Sequence, residues 1–210
     1  MKRKIVFLDI DGVLQPCSSQ ERHKYWHDDI EKSKMPELYK RLEYYFKIDF
    51  SIYKQYDVAA VYYDWDKMSV TLLKLLLKIT NAQIVLSSDW RKGGFDRMKD
   101  FFTIHGLEEF YIDNTKDYDE IDKDFIEKVK SQNKKVNGED AWMEHRSIEI
   151  LEWLYRNQDV KNWVAIDDMR LKGIEPNFVD CWPSIKVEHA EQSYRILMKK
   201  EKTISKLELW

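Results

Sequence analysis

Cysteine is scarce: Cys17 and Cys181 stand alone in 210 residues. That excludes a disulfide framework, and it excludes a structural zinc site, which needs about four ligands. Six Gly and four Pro are too few for a linker-rich or disordered chain. No stretch approaches the roughly 20 apolar residues of a membrane helix. The start, "MKRKIVFLDIDG", carries basic residues, but acids soon interrupt its apolar run, so it does not read as a signal peptide. A dominant charge is missing too: 35 basic residues face 38 acidic ones, unlike the basic excess of a general nucleic-acid coat protein. A soluble, reducing, cytoplasmic setting is expected, with no membrane and no obligate protein partner indicated.

What is present suits one domain with a sizeable insertion. Apolar residues make up 43%, enough for a core. "KIVFLDI" (4–10) reads as a buried strand that ends at Gly12. "SVTLLKLLLKIT" (69–80) reads as a helix lying on a sheet, and "AQIVLSSDW" (82–90) as a second buried strand. "GFDRMKDFFTIHG" (94–106) is helical up to Gly106. "HRSIEILEWLYRN" (145–157) is an amphipathic helix, with Ile148, Leu151, Leu154 and Tyr155 on its apolar side. "NWVAIDDM" (162–169) is a third strand and "FVDCW" (178–182) a short fourth. "EHAEQSYRILMKKEK" (188–202) is a closing helix with Ala190, Tyr194 and Leu197 inward.

Strands alternating with helices predict a Rossmann-like three-layer α/β/α sandwich with a mostly parallel sheet. Residues 1–14 and 66–210 would form its core. Residues 15–65 break the rhythm, since such connections usually run about 2–6 residues. They read as a small, partly helical insertion, a possible cap, with "MPELYKRLEYYFKIDF" (35–50) helical and Leu38, Leu42, Tyr45 and Phe46 on its stripe. Residues 113–144 are charged and weakly patterned, a solvated helix or loop. "DYDEIDKDFIE" within them fails as a calcium loop, because Asp122 and Lys128 occupy the positions that need Gly and Glu.

Chemistry concentrates at the ends of three strands: Asp9 and Asp11, Ser87 and Ser88, Asp167 and Asp168. Ligands of open parallel sheets bind beyond the carboxyl ends of the strands. Clustered carboxylates repel one another unless protons or a metal intervene. Oxygen donors without Cys or His select a hard cation, and Mg2+ is the usual one with phosphate. A carboxylate beside such a metal can attack phosphorus, and a strand-end hydroxyl can hold a phosphoryl oxygen. Arg146, opening its helix 21 residues before Asp167, can supply the cation that opposes phosphoryl charge.

"DIDGVL", "IVLSSDW", Arg146 and "VAIDD" resemble, in order, the four motifs of the haloacid dehalogenase-like (HAD) superfamily. The wording is most similar to the compact HAD domains of RNA-repair fusion proteins. The resemblance implies a Mg2+-dependent phosphohydrolase acting on phosphate monoesters. Asp9 would be nucleophile and metal ligand. Asp11 would be general acid and then base, with its backbone carbonyl on the metal. Asp167 would complete the metal site, and Asp168 would bind directly or through water. Ser88 would hold phosphate, with Ser87 the competing assignment. Gly12 and Trp90 would border the substrate.

The family more often has Lys in the third motif, which leaves Lys130, Lys134 and Lys135 as rivals to Arg146. Trp90 and Arg91 line the site or join the core. Trp65, Trp153 and Trp163 read as core. Trp26, Tyr44 and Tyr45 either pack within the insertion or stack on a ring. His23 and His27 have zinc spacing but no third ligand nearby. "KKEK" (199–202) reads as a solvated helix end. The substrate is expected to be a nucleotide or nucleic-acid end phosphate. The alternatives are a phosphoprotein, particularly phosphotyrosine, and a phosphorylated small molecule. Phosphoryl transfer to another acceptor and a non-catalytic phosphate-binding module of the same fold stand beside them.

Overall fold

The computed structural model describes residues 2–18, 20–137 and 143–199, with the backbone path alone at 26, 27, 30 and 31. Its strands are β1 (Arg3–Leu8), β2 (Gln83–Leu86), β3 (Tyr111–Asn114), β4 (Val160–Asp167) and β5 (Phe178–Asp180). They form one sheet in the order β3-β2-β1-β4-β5, every pairing parallel. The expected Rossmann-like α/β architecture is therefore present. The chain order reverses beside β1, the place where a crevice opens at the carboxyl edge.

Side chains alternate across the pleat. Val6 and Leu8 of β1 face one layer, and Ile5 and Phe7 face the other. Among the described residues, four α-helices fall within 15–65: α1 (Lys24–His27), α2 (Asp29–Ser33), α3 (Met35–Phe46) and α4 (Gln55–Ala59). The remaining helices are α5 (Lys67–Thr80), α6 (Phe95–His105), α7 (Lys123–Asn137), α8 (His145–Arg156) and α9 (Val187–Leu197). Leu73 and Leu77 of α5, Phe101 and Phe102 of α6 and Leu197 of α9 cover the Val6–Leu8 face. Met35, Leu38 and Leu42 of α3 join that same cluster, so residues 15–65 share the core of the sheet. On the opposite face Ile150 and Trp153 of α8 pack against Ile5 and Phe7. Ile148 of α8 meets Ile126 and Val129 of α7, which places α8 between the sheet and α7.

Local signals set the helix ends. Asp66 caps α5 by accepting from the Ser69 amide at 2.7 Å. Gly106 closes α6 in the left-handed conformation, as its sequence position predicts. No helix among the described residues is long and apolar enough to cross a membrane.

Several expectations change. β3 is a short edge strand that no clear alternation announces. On α8, Tyr155 is 45% exposed. Glu149 and Glu152 are buried instead, each ion-paired: Glu149 to Arg91, and Glu152 to Lys116 and Arg156. On α9, Tyr194 points outward, and Ser193 and Ile196 take the inward positions beside Leu197. On α3, Tyr45 is exposed, and Met35 joins Leu38 and Leu42 inside. Trp65 and Trp153 are buried, while Trp163 is only partly so. The side chains of Trp26 and His27 lie outside the described residues, as does the "KKEK" run beyond Lys199. Cys17 is exposed and Cys181 buried, both free.

Candidate active site

Strand register builds the site. Leu8 is level with Leu86 on one side and Ile166 on the other, which brings the next residues, Ser87, Asp9 and Asp167, abreast at the carboxyl edge. The Asp9 amide donates to the Ile166 carbonyl at 3.0 Å and the Ser87 amide to the Leu8 carbonyl at 2.9 Å, extending the ladder to that level. Asp9 lies two residues beyond Phe7, and Asp167 two beyond Ala165, both members of the cluster packed under α8.

Arg146, in the first turn of α8, reaches both acids. Its Nη1 donates to Asp167 Oδ2 at 2.9 Å and lies 3.2 Å from Asp9 Oδ2. One guanidinium thus faces two carboxylates that are nearly inaccessible to water. Lys130, a rival cation, donates instead to the Tyr118 hydroxyl, and Lys134 and Lys135 are exposed near the end of α7.

Burial and the Asp167 charge push the Asp9 carboxyl up to about 7, with Arg146 and Ser88 pulling the other way. Burial likewise pushes Asp167 up, against the pull of Arg146. Asp168 is also raised, mainly by burial. Oxygens of Asp9, Asp167 and Asp168 lie within 4.8 Å of one another, the one such group among the described residues. The donors are all hard oxygens, and their charge exceeds what Arg146 neutralises. They therefore fit Mg2+, with its preference for carboxylate ligands.

A pH dependence follows. Asp9 has a folded value near 7 against 3.8 for an ordinary Asp, so the folded state holds the proton more tightly. Its contribution to stability is complete below about pH 4 and is lost as pH rises through about 7. The metal-free protein is expected to melt at lower temperature near pH 8 than near pH 5, with Mg2+ restoring stability at the higher pH. Calorimetric melts at both values, repeated on Asp9→Asn, check this. A slope unchanged by the substitution would assign the effect to other groups.

Gly12 makes room for Asp168. Its φ is +71°, and a Cβ there would stand 2.1 Å from Asp168 Oδ2. Gly12→Ala is expected to cost about 1–2 kcal/mol in backbone strain and to displace Asp168. Weaker Mg2+ binding by calorimetry would be the readout, and unchanged Mg2+ affinity would argue against it.

The Asp11 carboxylate stands outside the acidic trio. Gln15 Nε2 donates to its Oδ1 at 2.5 Å, Trp90 Nε1 donates to its Oδ2 at 2.9 Å, and Arg22 Nη1 lies 3.6 Å from Oδ1. Trp90 is held in turn beside Trp65 and Phe101, so it touches Asp11 directly. Arg22 comes from the insertion. The Glu21 and Arg22 amides donate to the buried carboxylate of Asp64, and the Arg22 guanidinium lies over the Tyr56 ring. Gln15 and Arg22 carry no motif, and only the folded chain brings them to Asp11. His23 is occupied by Gln20 and Tyr56.

The two serines differ. Ser88 Oγ accepts from the Trp90 amide at 3.5 Å and is close enough to Asp9 to pull its proton affinity down, whereas Ser87 Oγ is buried with no partner among the described residues. Beside Arg146 a cleft of about 350 Å3 opens between the Asp89–Gly93 turn, residues 117–119 and the start of α8. Arg91 forms part of its wall.

Over residues 5–191 the chain matches the family described as the HAD domain in Swiss Army Knife RNA repair proteins. No curated protein and no solved structure matches it.

Proposed function

The chain belongs to the family of HAD domains in Swiss Army Knife RNA repair proteins, and on that premise we propose that it is a Mg2+-dependent phosphohydrolase cleaving phosphate monoesters through a phosphoaspartate on Asp9. Membership supports a HAD-type phosphohydrolase in general. The finer reading is carried by one observation: Asp9 and Asp167 stand side by side with Arg146 across both and Asp168 adjoining.

In this reading an Asp9 oxygen attacks phosphorus while the bond from phosphorus to the leaving oxygen breaks. Asp11 gives its proton to that oxygen. Asp11 then takes a proton from water as the water oxygen attacks phosphorus, the Asp9–phosphorus bond breaks, and inorganic phosphate leaves. Arg146 opposes charge on the phosphoryl oxygens, and Ser88 donates a hydrogen bond to one of them. Asp9, Asp167, Asp168 and the Asp11 carbonyl would hold Mg2+, which would neutralise phosphoryl charge. Gln15, Trp90 and Arg22 orient Asp11, so residues 15–65 serve as a fixed wall of the site.

The substrate class is a nucleotide or nucleic-acid end phosphate. The test is a panel of nucleoside monophosphates, phosphorylated oligonucleotides and phosphopeptides, assayed with Mg2+ and with a chelator. Turnover is expected with Mg2+ alone. Hydrolysis that survives full chelation would sink the reading, and so would tight phosphate binding without any hydrolysis. A product that requires a second acceptor would reassign the protein as a phosphoryl transferase.

A further inference from the structure

The cleft beside Arg146 has features that the chemistry at Asp9 does not use. Two side chains in its wall lack full partners. Arg91, 8% exposed, donates through Nη2 to Glu149 at 2.9 Å, while its Nε and Nη1 meet no acceptor among the described residues. Glu149, 4% exposed, has an Oε2 that meets no donor there. Buried groups left unmatched are costly, and polar ligands or water relieve them.

The wall is acidic on balance. Asp89, Asp117, Asp119, Glu144 and Glu149 line it with Arg91 and Arg146, and Lys92 adds one more cation, 3.1 Å from Asp89 and 3.6 Å from Asp117, so the acids still outnumber the cations. Carboxylates accept hydrogen bonds from hydroxyl and amino groups, and they repel further phosphates. The wall also carries a ring. His145 is exposed and stacks on Tyr118, with centroids 3.7 Å apart and planes at 7°. Lys130 Nζ lies 5.7 Å from the Tyr118 centroid. Tyr118, His145 and Arg146 line the same cleft, so this ring pair shares it with the guanidinium of the proposed phosphoryl site.

We propose that the cleft holds the leaving group and that this group is a single nucleoside. Its base lies against His145, and its ribose hydroxyls meet the carboxylates. The inference rests on the phosphohydrolase reading and narrows its substrate to a nucleoside monophosphate. In a phosphorylated strand end, the neighbouring phosphodiesters would lie over the acidic wall.

Binding decides this without turnover. Asp9→Asn protein with Mg2+ is titrated calorimetrically with adenosine 5′- and 3′-monophosphate, ribose 5-phosphate, oligonucleotides phosphorylated at either end, and a phosphotyrosine peptide. At least one adenosine monophosphate is expected to bind roughly tenfold tighter than ribose 5-phosphate, and tighter than every oligonucleotide. Adding His145→Ala should bring the first ratio close to one. Asp89→Asn combined with Asp119→Asn, both exposed positions, should raise oligonucleotide affinity. If a variant fails to fold, the Asp9→Asn ratios alone decide.

The proposal is overturned if ribose 5-phosphate, an oligonucleotide or the phosphopeptide binds as tightly as the better adenosine monophosphate, or if neither adenosine monophosphate binds. Hydrolysis of p-nitrophenyl phosphate by the unsubstituted protein reports the phosphohydrolase reading separately. Selective binding without that hydrolysis would overturn the reading and, with it, the leaving-group role, while the cleft would stand as a nucleoside-binding site. Hydrolysis without selectivity would do the reverse.

Discussion

Asp9→Asn is expected to lower turnover by about 10^4-fold or more while the protein stays folded. The amide is nearly the same shape as the carboxylate, so packing at the end of β1 is preserved. Its oxygen is a poor nucleophile, and one anionic metal donor is lost. Stability should move the opposite way from activity. Burial and the neighbouring Asp167 charge raise the proton affinity of Asp9, and replacing its carboxyl by a neutral amide relieves this. The metal-free variant is therefore expected to melt higher than the unsubstituted protein near pH 8. Single-turnover hydrolysis with purified variant, paired with a thermal melt, tests both halves. Near-normal hydrolysis would refute the phosphoaspartate.

Arg146→Ala carries the second large effect, on activity and stability together. Removing a donor that stabilises developing charge costs about 10^2–10^3 in turnover, and phosphoryl transfer depends heavily on such groups. Breaking a buried ion pair by deleting one partner costs about 3–5 kcal/mol. The cost here falls below that range because the two acids can take up a proton. Mg2+ should recover much of the lost stability, since it replaces the missing positive charge, yet little of the activity. Arg146→Lys should recover part of both, because an ammonium keeps the charge but loses the fork that reaches two carboxylates. Chemical denaturation with and without Mg2+, alongside kcat, separates these outcomes. Full activity in Arg146→Ala would return the role to one of the nearby lysines.

Much of this site could be read from the sequence because each of its acids ends an apolar strand. "FLDID" and "VAIDD" announce both a buried strand and a charged tip, and parallel pairing then sets Asp9 beside Asp167. The rest was hidden for physical reasons. β3 is a short edge strand with only Tyr111 fully buried, so no alternating pattern marks it. Apolar periodicity marked only part of the inner face of α8: Ile148, Leu151 and Leu154 pack inward, but Glu149 and Glu152 are also buried, as ion-paired acids, and α7 covers a second side of the helix. Gln15 and Arg22 reach Asp11 through local turns in the insertion, anchored on Asp64 more than forty residues along the chain. A pattern of residue types does not encode such a path. Ser88 and Ser87 could not be told apart until the fold set one hydroxyl on the Trp90 amide and left the other enclosed without a partner among the described residues.

Since Leu8 is level with both Leu86 and Ile166, one extra residue inside β1 or β4 would throw the following acid to the other side of the sheet. Length changes are therefore forbidden in these short segments and tolerated in the loops of the 15–65 and 115–144 excursions that touch neither the core nor the site. Size variation among relatives will concentrate in those excursions, while the distance in residues from each strand's first pairing to its acid stays constant.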